Sequence, residues 1–172
     1  QFRNEINDCN SLWIDELQRA NLPGQSIVIE ITEGLLMESN RNIAKKLLDF
    51  RDAGIQVAID DFGTGYSSLA YLKKFNIDYL KIDQSFTRGL TDNSNDFVLC
   101  EAIITMAHKL GLKVIAEGVE TKEQYRLLIK MGCDYGQGYW FSKPMPAIDF
   151  QKLLSDKNGM FYRDKCVKDL AK

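Results

Sequence analysis

The sequence predicts an α/β fold built on a parallel sheet, and three features carry that expectation. Short apolar, β-branched runs alternate with longer amphipathic ones, the pattern of successive βαβ units. Glycines separate an amphipathic run from the next apolar one at Gly54, Gly111 and Gly132, where a left-handed residue suits the end of a helix. The apolar runs finish on charged side chains, as barrel strands do where their carboxyl ends converge on one mouth.

In chain order, the first helical pattern is SLWIDELQRAN, in which Leu12, Trp13 and Leu17 form a packing face. Strands are expected at 26–31 (SIVIEI), 55–60 (IQVAID), 78–83 (DYLKID) and 112–117 (LKVIAE), with a weaker one at 133–139 (CDYGQGY). Between them fall the helical stretches RNIAKKLLDFRDAG, SSLAYLKKF, NDFVLCEAIITMAHKLG and KEQYRLLIKMG. Two further helices are expected after SKPMP, AIDFQKLLSD and YRDKCVKDLAK, separated by a turn at KNG. No Pro- or Ser-rich linker interrupts the chain, which reads as one compact unit.

Composition narrows the function. The 172 residues are 45% hydrophobic and carry 22 basic against 24 acidic side chains, for a net charge of −2. That balance gives no basic stripe for polymeric DNA or RNA. No run of 18 apolar residues marks a membrane span and no signal peptide is present, so a cytoplasmic location is expected. Cys9, Cys100, Cys133 and Cys166 form no C-x-x-C pair and share the chain with one histidine, His108. They read as reduced thiols rather than a zinc site or disulfide frame. His108, near a helix end, reads as a capping or surface residue. The chain opens QFRNEIND, which is expected to be part of a larger polypeptide.

Side chains alternate across a strand. Glu30 therefore shares a face with Val28, Asp60 with Ala58, Lys81 with Tyr79 and Glu117 with Ile115, while Ile27, Ile29 and Ile31 form an opposite face suited to helix packing. Four successive strands thus present a charged group on the face away from the helices, and the fifth ends near Gln137. Adjacent Asp60 and Asp61 repel each other unless a positive partner lies between them. Glu30, Asp60, Asp61 and Glu117 offer only hard oxygen, which suits Mg²⁺ or Mn²⁺. Two such ions about 3.5–4 Å apart would activate a water and steady the leaving oxygen of a phosphodiester, with Lys81 facing the phosphate charge. Gly63 and Gly65 let the backbone turn sharply after the carboxylates, and Ser67 or Ser68 can start the following helix. Trp140 and Phe141 read as core packing ahead of a guanine pocket.

Taken together, EITEG, DDFGTGYSSL, KIDQSF, AEGVET and QGYWFSKP resemble the successive motifs of the bacterial EAL-domain cyclic di-GMP phosphodiesterases, over Gln1 to about Leu154. The resemblance implies a (β/α)8 TIM-type barrel, here incomplete with about five parallel strands. It implies hydrolysis of cyclic di-GMP to linear pGpG with two Mg²⁺ or Mn²⁺ ions. Glu30, Asp60 and Asp61 resemble metal ligands, and Lys81 the lysine that holds water and phosphate. Glu117 resembles the acidic ligand or general base and Gln137 its water-orienting neighbour. Glu120 and Pro144 fall where the family contacts guanine. Glu33 resembles the glutamate that steadies the Gly63-Thr64-Gly65 loop, a segment associated with dimerisation.

The family's Glu-Ala-Leu motif and an asparagine ligand fall upstream of Gln1. Residues 1–156 are accordingly expected to be the C-terminal portion of an EAL domain and 157–172 a helix or tail, with a regulatory domain upstream in the parent protein. Five parallel strands do not close an eight-stranded barrel. The open edges are expected to be completed by the parent's missing strands rather than by a second copy. The chain alone is expected to bind metal poorly and to show little activity. Enolase-like metal barrels share the strand-end chemistry, but DDFGTGYSSL and QGYWFSKP favour the phosphodiesterase. A non-catalytic cyclic di-GMP receptor on the same barrel is the remaining alternative.

Overall fold

The computed structural model describes residues 9–37, 41–65, 72 and 75–155. The chain divides into two compact units, Gln1–Phe141 and Ser142–Lys172. The first holds α1 (Cys9–Arg19), a 3-10 turn at Gly24–Ser26, β1 (Val28–Thr32), α2 (Glu33–Met37), α3 (Arg41–Asp52), β2 (Gln56–Phe62), β3 (Tyr79–Ile82), α4 (Gln84–Arg88), α5 (Asn95–Lys109), β4 (Lys113–Ala116), α6 (Lys122–Lys130) and β5 (Tyr135–Gly136). The second holds α7 (Ala147–Ser155), the expected AIDFQKLLSD helix.

The five strands form one sheet in the order β1-β2-β3-β4-β5, every neighbouring pair parallel. Sequential parallel strands with helices between them are the arrangement of a (β/α) barrel sector, so the expected incomplete barrel is what the chain forms. Among the described residues β1 and β5 are the edges, and the sheet is not closed. The central strands are covered on both faces: Val57 is 1% exposed and Ala58, Ile59, Leu80 and Val114 are at 0%. At the β1 edge Ile31 is buried while Val28 and Glu30 are open, as the face assignment required.

Register is fixed at the amino ends of the strands by two aspartates. Asp78 Oδ2 accepts the Val57 N–H at 2.8 Å, and Asp134 Oδ2 accepts the Val114 N–H at 2.9 Å. The carboxyl ends follow from helix starts: Asp83 caps α4, Ser94 caps α5, and Thr121 with Gln124 forms a capping box on α6. Gly54, Gly111 and Gly132 adopt φ of 74°, 79° and 82°, the left-handed helix ends expected of them.

Several details differ from the sequence reading. The fifth strand is two residues long: past Gln137, which still donates to the Ala116 carbonyl, the backbone turns around Val119, whose N–H donates to Gln137 and whose carbonyl accepts from Trp140. The short helices α2 and α4 carry too few residues for a recognisable period. His108, in the last turn of α5, is exposed as expected of a surface residue, and its ring also pairs with Asp134 across the fold, Nε2 to Oδ2 at 2.8 Å. Trp140 and Phe141 pack on the core beside Tyr125. Cys100 and Cys133 are free; burial pushes their thiols up to about 12 and about 11, so both stay protonated near neutrality. Among the described residues no helix is long and apolar enough to cross a membrane. The expected helices at 67–75 and 162–172, with Ser67 and Ser68, lie outside the described residues apart from Leu72 and Phe75.

Candidate active site

Lys81 stands at the centre of the sheet, on β3, and its side chain is 3% exposed. An amine buried to that degree is costly to keep charged unless it is paired. Three carboxylates supply the pairing from three other strands or strand ends: Glu117 Oε1 at 2.6 Å, Glu30 Oε1 at 2.8 Å and Asp60 Oδ1 at 3.0 Å. Burial opposes the ammonium form, but hydrogen bonds to Glu117, Glu30 and Asp60 more than reverse that, and the Lys81 pKa is raised. Burial pushes the Glu117 carboxyl up despite the bound Lys81, and Asp60 and Glu30 add to the rise.

Asp61 reaches the same place by a backbone irregularity. Strict alternation would send it to the helix side with Ile59. Between Ile59 and Phe62, however, β2 takes three steps where β3, from Leu80 to Ile82, takes two. The extra residue is accommodated as a bulge, with Asp61 at φ 54°. Phe62 then fills the buried position at 5% exposure, and Asp61 stays exposed beside its neighbour. Asp60, Asp61 and Glu117 each offer an oxygen within 4.8 Å of the others. Partial desolvation, then the charges of Asp60 and Asp83, push Asp61 up, offset in part by Lys81.

Asp83 was not among the sequence-stated candidates, yet it adds charge to this group while capping α4 through Ser85 at 2.9 Å. Its signal was present: it lies two residues beyond Lys81 in KID and so shares its parity.

The loop after the carboxylates is tied from behind. Glu33, 8% exposed, accepts the Gly63 N–H through Oε2 at 3.3 Å. Gly63 has φ 97°, and a Cβ there would meet the Phe86 ring at 2.9 Å. Gly65 does not adopt a positive φ; its requirement is space, since a Cβ would stand 3.3 Å from Glu33 Oε1. Thr64 Oγ1 donates to the Asp61 carbonyl at 2.9 Å, closing the turn.

Gln137 and Glu120 are not among the ion-pair partners of Lys81. Gln137 extends the β4–β5 ladder, donating to the Ala116 carbonyl at 2.8 Å, while its exposed side chain makes no hydrogen bond among the described residues. Glu120 is exposed, with its N–H bound to Gln124 Oε1 at 2.8 Å. Pro144 belongs to the second unit and is exposed. The carboxylates brought together are all hard oxygen donors, a set that fits a divalent cation such as Mg²⁺ or Mn²⁺.

Comparison with known proteins gives a consistent result. The EAL domain family model matches residues 6–144. The chain is 43% identical over 138 residues to the cyclic di-GMP phosphodiesterase NbdA of Pseudomonas aeruginosa, an alignment covering 80% of this chain and 18% of NbdA. Among solved structures, the PaMucR phosphodiesterase in complex with c-di-GMP superposes with a TM-score of 0.79 at 36% identity, covering 84% of this chain and 64% of that one. BlrP1 of Klebsiella pneumoniae, in a manganese and cyclic-diGMP complex, gives 0.73 at 34% identity over 80% of this chain and 35% of that one. The chain spans about a fifth of the length of the curated relatives it matches.

Proposed function

The chain belongs to the EAL domain family, and on that premise we propose that it carries the C-terminal part of a metal-dependent phosphodiesterase that hydrolyses cyclic di-GMP to linear pGpG. The observation that carries this reading is Lys81, buried and ringed at 2.6–3.0 Å by carboxylates from three neighbouring strands, with Asp61 beside them. A bare acidic cluster would repel a phosphodiester; this one combines cation-binding oxygens with a permanent ammonium. Relatives named for cyclic di-GMP hydrolysis, or solved with cyclic di-GMP, support the substrate.

Glu30, Asp60, Asp61 and Glu117 would hold Mg²⁺ or Mn²⁺, two ions in a complete site. Bound there, a divalent ion supplies a more acidic water and neutralises phosphate charge. Lys81 contributes a positive charge toward the phosphoryl oxygens. Glu117, whose Oε1 lies 2.6 Å from the Lys81 ammonium, is the carboxylate placed to accept the proton of the attacking water, and that proton is then available to the leaving ribose oxygen as its bond to phosphorus breaks. Gln137 orients that water, and Glu120 and Pro144 contact guanine. Glu33, through Gly63, Thr64 and Gly65, holds the Asp60–Asp61 segment and shapes the surface used for homodimerisation. The assignment extends to 156, with 157–172 a C-terminal helix or tail. The parent protein carries an upstream regulatory domain and works in the cytoplasm. The open sheet supports low activity and weak metal binding in this chain alone.

The test is pGpG formation from cyclic di-GMP with Mg²⁺ or Mn²⁺, by this chain and by a version extended upstream. Turnover by the extended form, abolished by Asp60→Ala, is expected. Nucleotide binding without pGpG in the extended form would replace the enzyme reading with a receptor. Neither binding nor turnover would overturn the functional assignment.

A further inference from the structure

An ammonium has three N–H donors, and Lys81 meets three carboxylates, one each from Glu117, Glu30 and Asp60. In this arrangement it has no donor left for a water or phosphate oxygen. Two of its partners, Asp60 and Glu117, are also two of the three residues whose oxygens gather within 4.8 Å of one another. The same carboxylates are therefore claimed twice. We propose that Lys81 is the resident counter-cation of the metal-binding carboxylates, holding Asp60 and Glu117 in position until a divalent cation displaces its ammonium from at least one of them. The inference rests on the metal reading of the site given above.

Four acidic side chains, Glu30, Asp60, Asp61 and Glu117, converge here with a buried lysine among them. Without a cation they would spread apart or take up protons. Lys81 holds Glu30, Asp60 and Glu117 within 2.6–3.0 Å of one ammonium, which keeps the cluster assembled and favours metal binding, but its own charge opposes the incoming ion. At about 4 Å, even with the full screening of bulk water, the opposition of a unit and a divalent charge corresponds to about a thirtyfold change in affinity, of which the assembling role of Lys81 returns part, leaving about tenfold. Displacement also frees a donor of Lys81, so cation binding and readiness for phosphate are the same event. On this view Lys81 acts as a positioning residue before it meets substrate.

Mn²⁺ binding to the form extended upstream, unaltered and as Lys81→Met, Lys81→Arg and Asp61→Asn, followed by calorimetry and by the electron paramagnetic resonance signal of free Mn²⁺, tests this. Lys81→Met is expected to bind Mn²⁺ about tenfold more tightly, Lys81→Arg to stay within about threefold of the parent, and Asp61→Asn to bind more weakly. Equal or weaker binding by Lys81→Met, with Asp61→Asn still weakened, overturns the displacement and leaves the metal site standing. Binding insensitive to Asp61→Asn, or absent from every variant, overturns the metal reading itself. A second measurement needs no substitution: Mg²⁺ should speed acetic anhydride labelling of Lys81 in the unsubstituted form extended upstream, read by peptide mass spectrometry. Labelling unchanged by saturating Mg²⁺ would refute the proposal even if Lys81→Met failed to fold.

Discussion

Gly63→Ala isolates how the loop behind the carboxylates is held. Gly63 sits at φ 97°, where an L side chain is strained by about 1–3 kcal/mol. The added methyl would also stand 2.9 Å from Phe86 Cε2 and 3.0 Å from Cζ, with Ile103 Cδ1 at 3.7 Å. Forcing a methyl into occupied space costs about 1–3 kcal/mol. The sum is a loss of about 2–6 kcal/mol, and urea denaturation followed by circular dichroism measures it. A double-mutant cycle separates the two causes. In a Phe86→Leu background the ring is gone and only the backbone strain remains, so the coupling should be about 1–2 kcal/mol in favour of the double variant. If Gly63→Ala falls within about 0.5 kcal/mol of the parent, both the strain and the contact are refuted. A full loss without coupling would leave the backbone conformation as the sole cause.

Two other perturbations test the supports of the site. Asp134→Ala removes the acceptor of the buried Val114 N–H and the partner of His108, and should cost about 1–3 kcal/mol at neutral pH in the same denaturation assay. Burial raises the Asp134 carboxyl, but hydrogen bonds from His108 and the Val114 N–H outweigh it, so its pKa in the folded chain is lowered. Its stabilisation is therefore fully present above the ordinary aspartate range and is lost as pH falls through the lowered value, so the gap between parent and variant should be present at about pH 5 and close below about pH 4. A gap that widens in acid would contradict the assignment. Glu33→Ala frees the Gly63 amide, whose hydrogen exchange should quicken by about tenfold, and unchanged exchange would mean that the 3.3 Å bond holds nothing.

The sheet was legible because its strands are buried and bounded by strong signals. Val57-Ala58-Ile59 and Val114 are buried almost completely, and Gly54 and Gly111, with positive φ, mark the helix ends before them. Glu30, Asp60, Lys81 and Glu117 were legible for the same reason, since a period of two fixes the face once the strand is placed. Asp61 obeyed no period. It joins the cluster through an inserted residue, and a bulge leaves no mark in a single sequence beyond the repeated Asp. Asp83 is hidden for another reason: a carboxylate just before a helix ordinarily serves as its cap, and Asp83 does that as well. The tie from Asp134 to His108 spans 26 positions, and nothing local announces it.

The amino ends of the strands bear on the chemistry at the other end. Asp78 clasps the first buried residue of β2, and Asp134 clasps the corresponding residue of β4, in each case by a carboxylate on the N–H of a valine. From Val57 to Asp60 is three residues, and from Val114 to Glu117 is three residues. Both clasps therefore set which side chain arrives at the mouth, and both deliver a carboxylate to the lysine on the strand between them. A one-residue slip of β2 would bring Ile59 or Asp61 in place of Asp60 and turn its carboxylate toward the helices. Lys81, 3% exposed, would then face fewer anions in a site where burial already disfavours its charge. The ammonium thus penalises wrong registers that the hydrophobic faces of β2, apolar on both sides from Val57 to Ile59, distinguish poorly. The polar groups at the two ends of the sheet solve one problem together: the clasps choose the register, and the buried lysine makes the alternatives costly.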